Sequence, residues 1–284
     1  MKLATFTFQG VRRIGIVNGE TVVDLAIATP ELPREMIAFL EAGEPALERA
    51  RKAASSTDGI PLSEVKLEAP IGRPPEFLAI GLNYADHIAE SGMKKPEFPL
   101  FFNKQSSCVT GPYDPIHRPR VSTQLDYEGE LGFVIGRRCK NVSRDRAQAV
   151  IAGYVVVNDV SVRDWQFKAQ TMTLGKSFDT HGPIGPWIVT PDEVGDPHAL
   201  ELQTWVNGEL RQHSNTRNLV FDCYAQVETL STVFTLEPGT IVSTGTPGGV
   251  AFAMKPPRYL KAGDVVRIAI DRIGAIENRV IEDP

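Results

Sequence analysis

Three acidic residues alternate in the stretch "LDYEGELGFVIG" (125–136): Asp126, Glu128 and Glu130. On a β-strand, alternate side chains share a face, with about 6.6–6.8 Å between successive Cα atoms on it. The spacing predicts a column of three mutually repelling carboxylates that runs into Leu131, Phe133, Val134 and Ile135, residues that favour burial. Water on a half-solvated strand face would screen such a column; a cation would neutralise it. In "YVVVNDVSVRDW" an apolar strand leads into Asn158-Asp159, which places another carboxylate at the end of a buried element. Carboxylate oxygens converging from two strands suit a hard divalent ion, Mg2+ or Mn2+, at about 2.1 Å. Zinc is disfavoured, because no histidine or cysteine lies near these acids in the sequence.

A second constellation lies in "GLNYADHIAESG" (81–92). His87 and Glu90 are three residues apart, so on a helix they share a face and can hydrogen-bond. A carboxylate that orients an imidazole makes a water-activating general base, whereas an incidental pair on a surface helix has the same spacing. The following "SGMKKPEFP" has the composition of a mobile loop, and a base on a movable lid would act with bulk water excluded. Lys176, in "TLGKSFDTHGPIGP", is either an electrophilic group or a surface lysine with a buried stem. Arg163 and Gln166 share a helical face and carry the same two readings. The glycine-rich "STGTPGGVAF" (243–252), which includes Gly245, offers backbone N–H groups to a small anion or is a plain tight turn; it lacks the Gly-Lys-Ser/Thr of a nucleotide loop. His117, His181, His198 and His213 match no constellation and read as structural, His181 least securely.

The elements that must carry these residues are mostly short strands, expected near 77–81, 99–104, 130–136, 153–159, 184–190, 201–206, 240–244, 264–270 and 275–281. Asn207-Gly208 is a hairpin signal. Helical spacing is confined to short pieces around 84–91, 143–150, 162–170 and 220–231. Residues 1–70 read as a small α+β unit, with alternating strands "ATFTF", "RIGIV" and "TVVDL", helices at 33–41 and 45–54, and a polar linker, "SSTDGIPLSE". The remaining 71–284 read as an antiparallel-rich roll or barrel, so the class is mainly β with short helices. The 284 residues carry 30 Lys and Arg against 35 Asp and Glu. With no basic stripe and no apolar run approaching a membrane span, nucleic acid and membrane are poor partners. Three unpaired-looking cysteines and an N-terminus without a signal peptide fit a cytoplasmic protein.

Taken in order, "GLNYADHIAE", "FFNK", "DYEGELGFVIG", "GYVVVNDVSVRDWQ", "GKSFDTHGPIGPWIV", "VNGELRQ" and "TGTPGGV" resemble the fumarylacetoacetate hydrolase family over residues 77–281. The resemblance implies that family's mixed β-roll, preceded by the small N-terminal domain of many bacterial members, and a homodimer binding Mg2+ or Mn2+. By position it implies metal ligands Glu128, Glu130 and Asp159, and a water-activating pair His87 and Glu90. It places Lys176 beside the metal, and Arg163, Gln166 and Thr246 around a small 2-oxo acid substrate. Asp126 is no ligand in that pattern and is expected one layer behind the ligands or in water. The implied reaction is hydrolysis of a C–C bond in a 2,4-dioxo acid, an acylpyruvate or a dioxo-deoxy sugar acid, to pyruvate and a carboxylic acid. Oxaloacetate decarboxylation, and isomerisation or decarboxylation of unsaturated dioxo acids, are the family's alternatives. A catalytically inactive binding protein on the same fold is the alternative from another class.

Overall fold

The computed structural model describes residues 1–55 and 57–284; Ser56, in the polar linker, lies outside the described residues. Its spine is a 12-stranded sheet in which Lys2–Phe8, Gly182–Val189, Ile151–Asn158, Gly129–Ile135, Ile241–Ser243, Phe77–Gly81 and Leu100–Lys104 lie side by side. A five-stranded sheet is built on Glu201–Val206, Val265–Ile270 and Gly274–Glu282, with Glu209–Asn215 and Ile116–Arg118 at its edges. The two strands that lead to the acids are buried along nearly their whole length, which explains their unbroken apolar runs. Glu201–Val206 alternates buried and half-buried residues, as a strand with one face on the core must.

Nine strands read from the sequence are present, with ends within two residues of expectation. Asn207-Gly208 turns the hairpin with φ of 53° and 80°, the positive pair that such a turn requires. The hairpin's return strand, Glu209–Asn215, was not expected, because its polar sequence hides the alternation. The helices differ more. The one expected over 33–41 begins at Met36, because Glu35 is still extended. Residues 144–150 form a 3-10 helix, the piece at 162–170 shortens to Arg163–Gln166, and Cys223–Val233 starts where Asp222 accepts the Ala225 N–H at 2.9 Å.

The expected column of three acids on one strand is not formed. Leu125–Asp126 pairs with Ser161–Val162 as a separate two-stranded piece, and the central strand starts only at Gly129. Asp126 draws the chain aside by accepting the backbone N–H groups of Tyr127, Ala251 and Phe252 at 2.8–2.9 Å. At Gly129 a Cβ would stand 2.2 Å from the Thr204 hydroxyl, so only glycine fits where the two sheets touch. The half-solvated alternative fails too, since Asp126, Glu128 and Glu130 are 0, 6 and 1% exposed.

The N-terminal strands join the spine, where Lys2 and Leu3 pair with Val189 and Ile188. An apolar cluster links Ile16 and Phe39 with Val134, Val155 and Ile184. The three cysteines are free, and among the described residues no helix is long and apolar enough to cross a membrane.

His181 is completely buried, with its Nε2 donating to the His117 carbonyl at 2.8 Å and its Nδ1 unpartnered. Burial pushes its pKa down to about 3. Between the unfolded value of about 6.5 and about 3, the unfolded chain binds a proton that the folded chain refuses, so stability falls as pH falls. Urea unfolding at pH 7 and pH 5 should show His181→Gln losing about 2 kcal/mol less than the wild type over that interval. Equal losses would mean that the folded protein accepts the proton.

Candidate metal centre and active-site cavity

Glu128, Glu130 and Asp159 converge so that one carboxylate oxygen of each lies within 4.8 Å of the others, all three residues being buried. The backbone sets this convergence. Glu128 and Asp159 face each other across the open ends of two paired strands, where the Glu128 N–H donates to the Asn158 side chain at 3.1 Å and the Asp159 N–H to the Glu128 carbonyl at 2.9 Å. Glu130 is held from the next strand: one of its oxygens accepts from the Ser243 hydroxyl at 2.6 Å and the Gly245 N–H at 2.7 Å.

Three cations answer the acids. The Lys176 ammonium lies 2.7 Å from Glu128 and 2.8 Å from Asp159. Lys104 reaches the other Asp159 oxygen at 2.6 Å and also donates to the Lys176 carbonyl. Arg163 bridges Glu128 at 2.6 Å and Asp126 at 2.8 Å, so Asp126 stands one layer behind. Burial would raise the Glu128 carboxyl, but Lys176 and Arg163 outweigh it and hold it at about 2. Glu130 has no cation of its own; burial and the charges of Asp159 and Glu128 push it well above the usual range. Lys176 is buried, yet the two acids raise its pKa, so it is a committed cation rather than a surface lysine.

The donor set fits a hard divalent ion. Three carboxylates converge, one of them over-strained by its neighbours, and among the described residues no histidine or cysteine joins the group. Glu128, Glu130 and Asp159 could thus hold a metal.

Above the acids opens a cavity of about 430 Å³. His87, Glu90, Glu128, Arg163, Gln166, Lys176 and Thr246 all line it, among apolar side chains that include Phe102, Phe167 and Phe252. Larger clefts of about 520 and 650 Å³ elsewhere contain no such acid group. His87 and Glu90 sit on the helix Ala85–Ser91, with Nδ1 and carboxylate 3.5 Å apart, and Glu90 accepts the Gly249 N–H at 3.1 Å. Thr246 donates to the Gly129 carbonyl at 3.0 Å and accepts from Gln212 at 2.8 Å. Gln166 accepts from Arg163 at 2.9 Å, while Arg163 Nη2 is buried with no partner in the structure.

Of the two readings of the glycine loop, an anion cradle or a plain tight turn, the first is limited by two N–H groups that serve the chain's own carboxylates: Gly245 donates to Glu130 and Gly249 to Glu90. Gly245 adopts φ +101°, and a Cβ there would meet that of Asn83 at 2.8 Å. Sequence reasoning assigned no role to Lys104, Asn158, Ser243 or Gln212. Lys104 had a usable signal, a charged residue closing the apolar strand "LFF", which is the same signal that marked Asp159.

This fold and site define a class. The fumarylacetoacetate hydrolase C-terminal domain model matches residues 76–281, and the chain belongs to that family. It is 46% identical over 274 residues to the mitochondrial oxaloacetate tautomerase of Xenopus laevis, covering 95% of this chain and 86% of the relative. Among solved structures, maleylpyruvate hydrolase from Sphingobium sp. SYK-6, in complex with manganese(II) and pyruvate, superimposes with a TM-score of 0.84 at 33% identity. The 5-carboxymethyl-2-hydroxymuconate delta-isomerase of Mycobacterium smegmatis superimposes at 0.81 and 34% identity, and in both comparisons the two chains are covered completely. The chain is therefore an enzyme of a family whose members include hydrolases, isomerases and a tautomerase.

Lys104→Met should strip Asp159 of a buried cationic partner and lower the stability of the metal-free protein by about 3–5 kcal/mol in urea unfolding. An unchanged stability would reduce Lys104 to a packing role.

Proposed function

We propose that the protein is a Mg2+- or Mn2+-dependent hydrolase that cleaves 2,4-dioxo acids to pyruvate and a carboxylic acid. The observation that carries this reading is that the His87–Glu90 pair lines one cavity together with Lys176 and Glu128, the member of the acid triad that reaches it. A divalent ion held by Glu128, Glu130 and Asp159 would supply Lewis acidity that lowers the energy of the enolate left by C–C cleavage. The protein's residues do the rest. Arg163 offers its unpartnered Nη2 to the substrate's 2-oxo carboxylate, with Gln166 fixing the guanidinium. His87, whose Nδ1 stands 3.5 Å from the Glu90 carboxylate, takes a proton from water as that water adds to the distal carbonyl. The bond between C3 and C4 breaks, its electron pair stays on C3, and Lys176 offsets the growing negative charge. Protonation of C3 completes pyruvate. The apolar cavity wall, with more room than a four-carbon acid fills, supports an acyl tail at the distal end.

A second reading is favoured by the 46% identity to an oxaloacetate tautomerase. There His87 would shuttle a proton between C3 and the keto oxygen, with no C–C bond broken. A homodimer and a reducing, cytoplasm-like compartment belong to the proposal, the latter supported by three free cysteines.

With Mg2+ present, pyruvate release from acetylpyruvate, fumarylpyruvate or a dioxo-deoxy sugar acid is expected, with His87→Ala slowing it by about 10²- to 10⁴-fold while metal binding persists. Decay of enol-oxaloacetate absorbance without release of pyruvate from any of these acids would sink the hydrolase and favour the tautomerase.

A further inference from the structure

We infer that Gln212 is a positioning residue for the metal centre: its amide clamps the Gly129 peptide and thereby sets the spacing of the Glu128 and Glu130 carboxylates. This rests on the divalent-ion reading above. Gln212 closes the motif "VNGELRQ" (206–212) and lies on the polar return strand Glu209–Asn215, yet it is completely buried. A buried amide must have its oxygen and its protons met. Here Oε1 accepts the Gly129 N–H at 2.9 Å, and Nε2 donates to the Thr246 hydroxyl at 2.8 Å and the Pro247 carbonyl at 3.0 Å. The Gly129 N–H can only donate and the Pro247 carbonyl can only accept, which fixes the orientation of the amide. The Thr246 hydroxyl donates in turn to the Gly129 carbonyl at 3.0 Å, so the three residues form a closed ring of hydrogen bonds.

Gly129 needs such a clamp. It faces Asn158 without exchanging hydrogen bonds with it, since the pairing bond runs from the Asp159 N–H to the Glu128 carbonyl. Its own N–H and C=O therefore point to the other side, where the neighbouring strand Ile241–Ser243 pairs only from Gly132 onward. The side chains of Gln212 and Thr246 stand in for the missing strand. Glycine has the widest backbone freedom of any residue, and rotation at this one would swing Glu128 and Glu130 relative to each other. No side chain can stiffen the position, because a Cβ would stand 2.2 Å from the Thr204 hydroxyl and 3.2 Å from Gln212 Oε1. The amide is neutral, so it braces the acids without adding another charge beside them. Thr246 lines the cavity, and the ring thus ties that wall to the strand that carries Glu130.

Loosened carboxylate spacing penalises ions unequally. Mg2+ demands near-octahedral oxygens at about 2.0–2.1 Å, whereas Ca2+ accepts irregular shells at about 2.3–2.6 Å. Calorimetric titration of the metal-free protein should show Gln212→Met weakening Mg2+ by about tenfold or more and Ca2+ by less than about threefold. General loosening of the fold would cost both ions alike. Thr246→Val breaks the ring while keeping the Gln212–Gly129 bond; it should shift the preference in the same direction, and Thr246→Ser should restore it. This second pair decides the matter where circular dichroism shows Gln212→Met unfolded. Equal losses of both ions, or wild-type affinity for Mg2+ in a folded Gln212→Met or Thr246→Val, would overturn the role of Gln212 and leave the divalent-ion reading standing. Uptake of neither ion by the wild type would overturn both.

Discussion

Like charges packed into the interior of a sheet govern this structure. Two carboxylates 4.8 Å apart repel by ~3 kcal/mol at an effective dielectric of ~20. Three such pairs approach the whole net stability of a typical domain, about 5–15 kcal/mol. The triad persists because Lys104, Lys176 and Arg163 are brought to it, each buried and each within 2.9 Å of an acid. Their distribution is uneven. Glu128 and Asp159 each meet two cationic side chains, whereas Glu130 has only a hydroxyl and a backbone N–H. The unmet charge therefore concentrates at Glu130, where burial and its two acidic neighbours favour the neutral form. A divalent ion, as proposed above, would be a partner for this arrangement.

The fold serves that constraint. Only a strand buried on both faces can present acids away from water, and the spine supplies two such strands with their ends side by side. The glycine loop turns above them with its N–H groups directed at Glu130 and Glu90, tying the floor of the cavity to the helix that carries His87. Asp126 anchors the opposite wall through Ala251 and Phe252 and grips Arg163 from behind. One set of carboxylates thus fixes both the reacting end and the walls of the cavity.

Much of this was legible in the sequence, for a physical reason. A carboxylate that interrupts or ends an apolar run must be matched by something, so Asp126, Glu128, Glu130 and Asp159 stood out, the family resemblance alone setting Asp126 apart from the other three, and strand alternation placed nine strands closely. Local patterns reached less far where the deciding contact is distant. The break after Asp126 depends on backbone donors more than 120 residues away in the chain. Lys104 acquires its partner 55 residues on, and Gln212 reaches Gly129 across 83. Glycine loop N–H groups look free in a sequence because their acceptors are carboxylates from other elements. The short helices slipped for the related reason that capping and packing, more than periodicity, decide where a single turn begins.

The central proposal is that the buried triad holds a divalent ion, with Glu130 supplying the one carboxylate that has no cationic side chain beside it. The direct measurement is calorimetric titration of metal-free protein with Mn2+, wild type beside Glu130→Gln, together with the thermal midpoint of each without metal. One saturable ion per chain in the wild type is expected, with affinity lower by at least about 100-fold in the variant and a midpoint no lower than the wild type's, since the amide removes repulsion but keeps acceptors for Ser243 and Gly245. Saturable binding that survives Glu130→Gln unchanged, or a wild type that takes up no ion, would contradict the account.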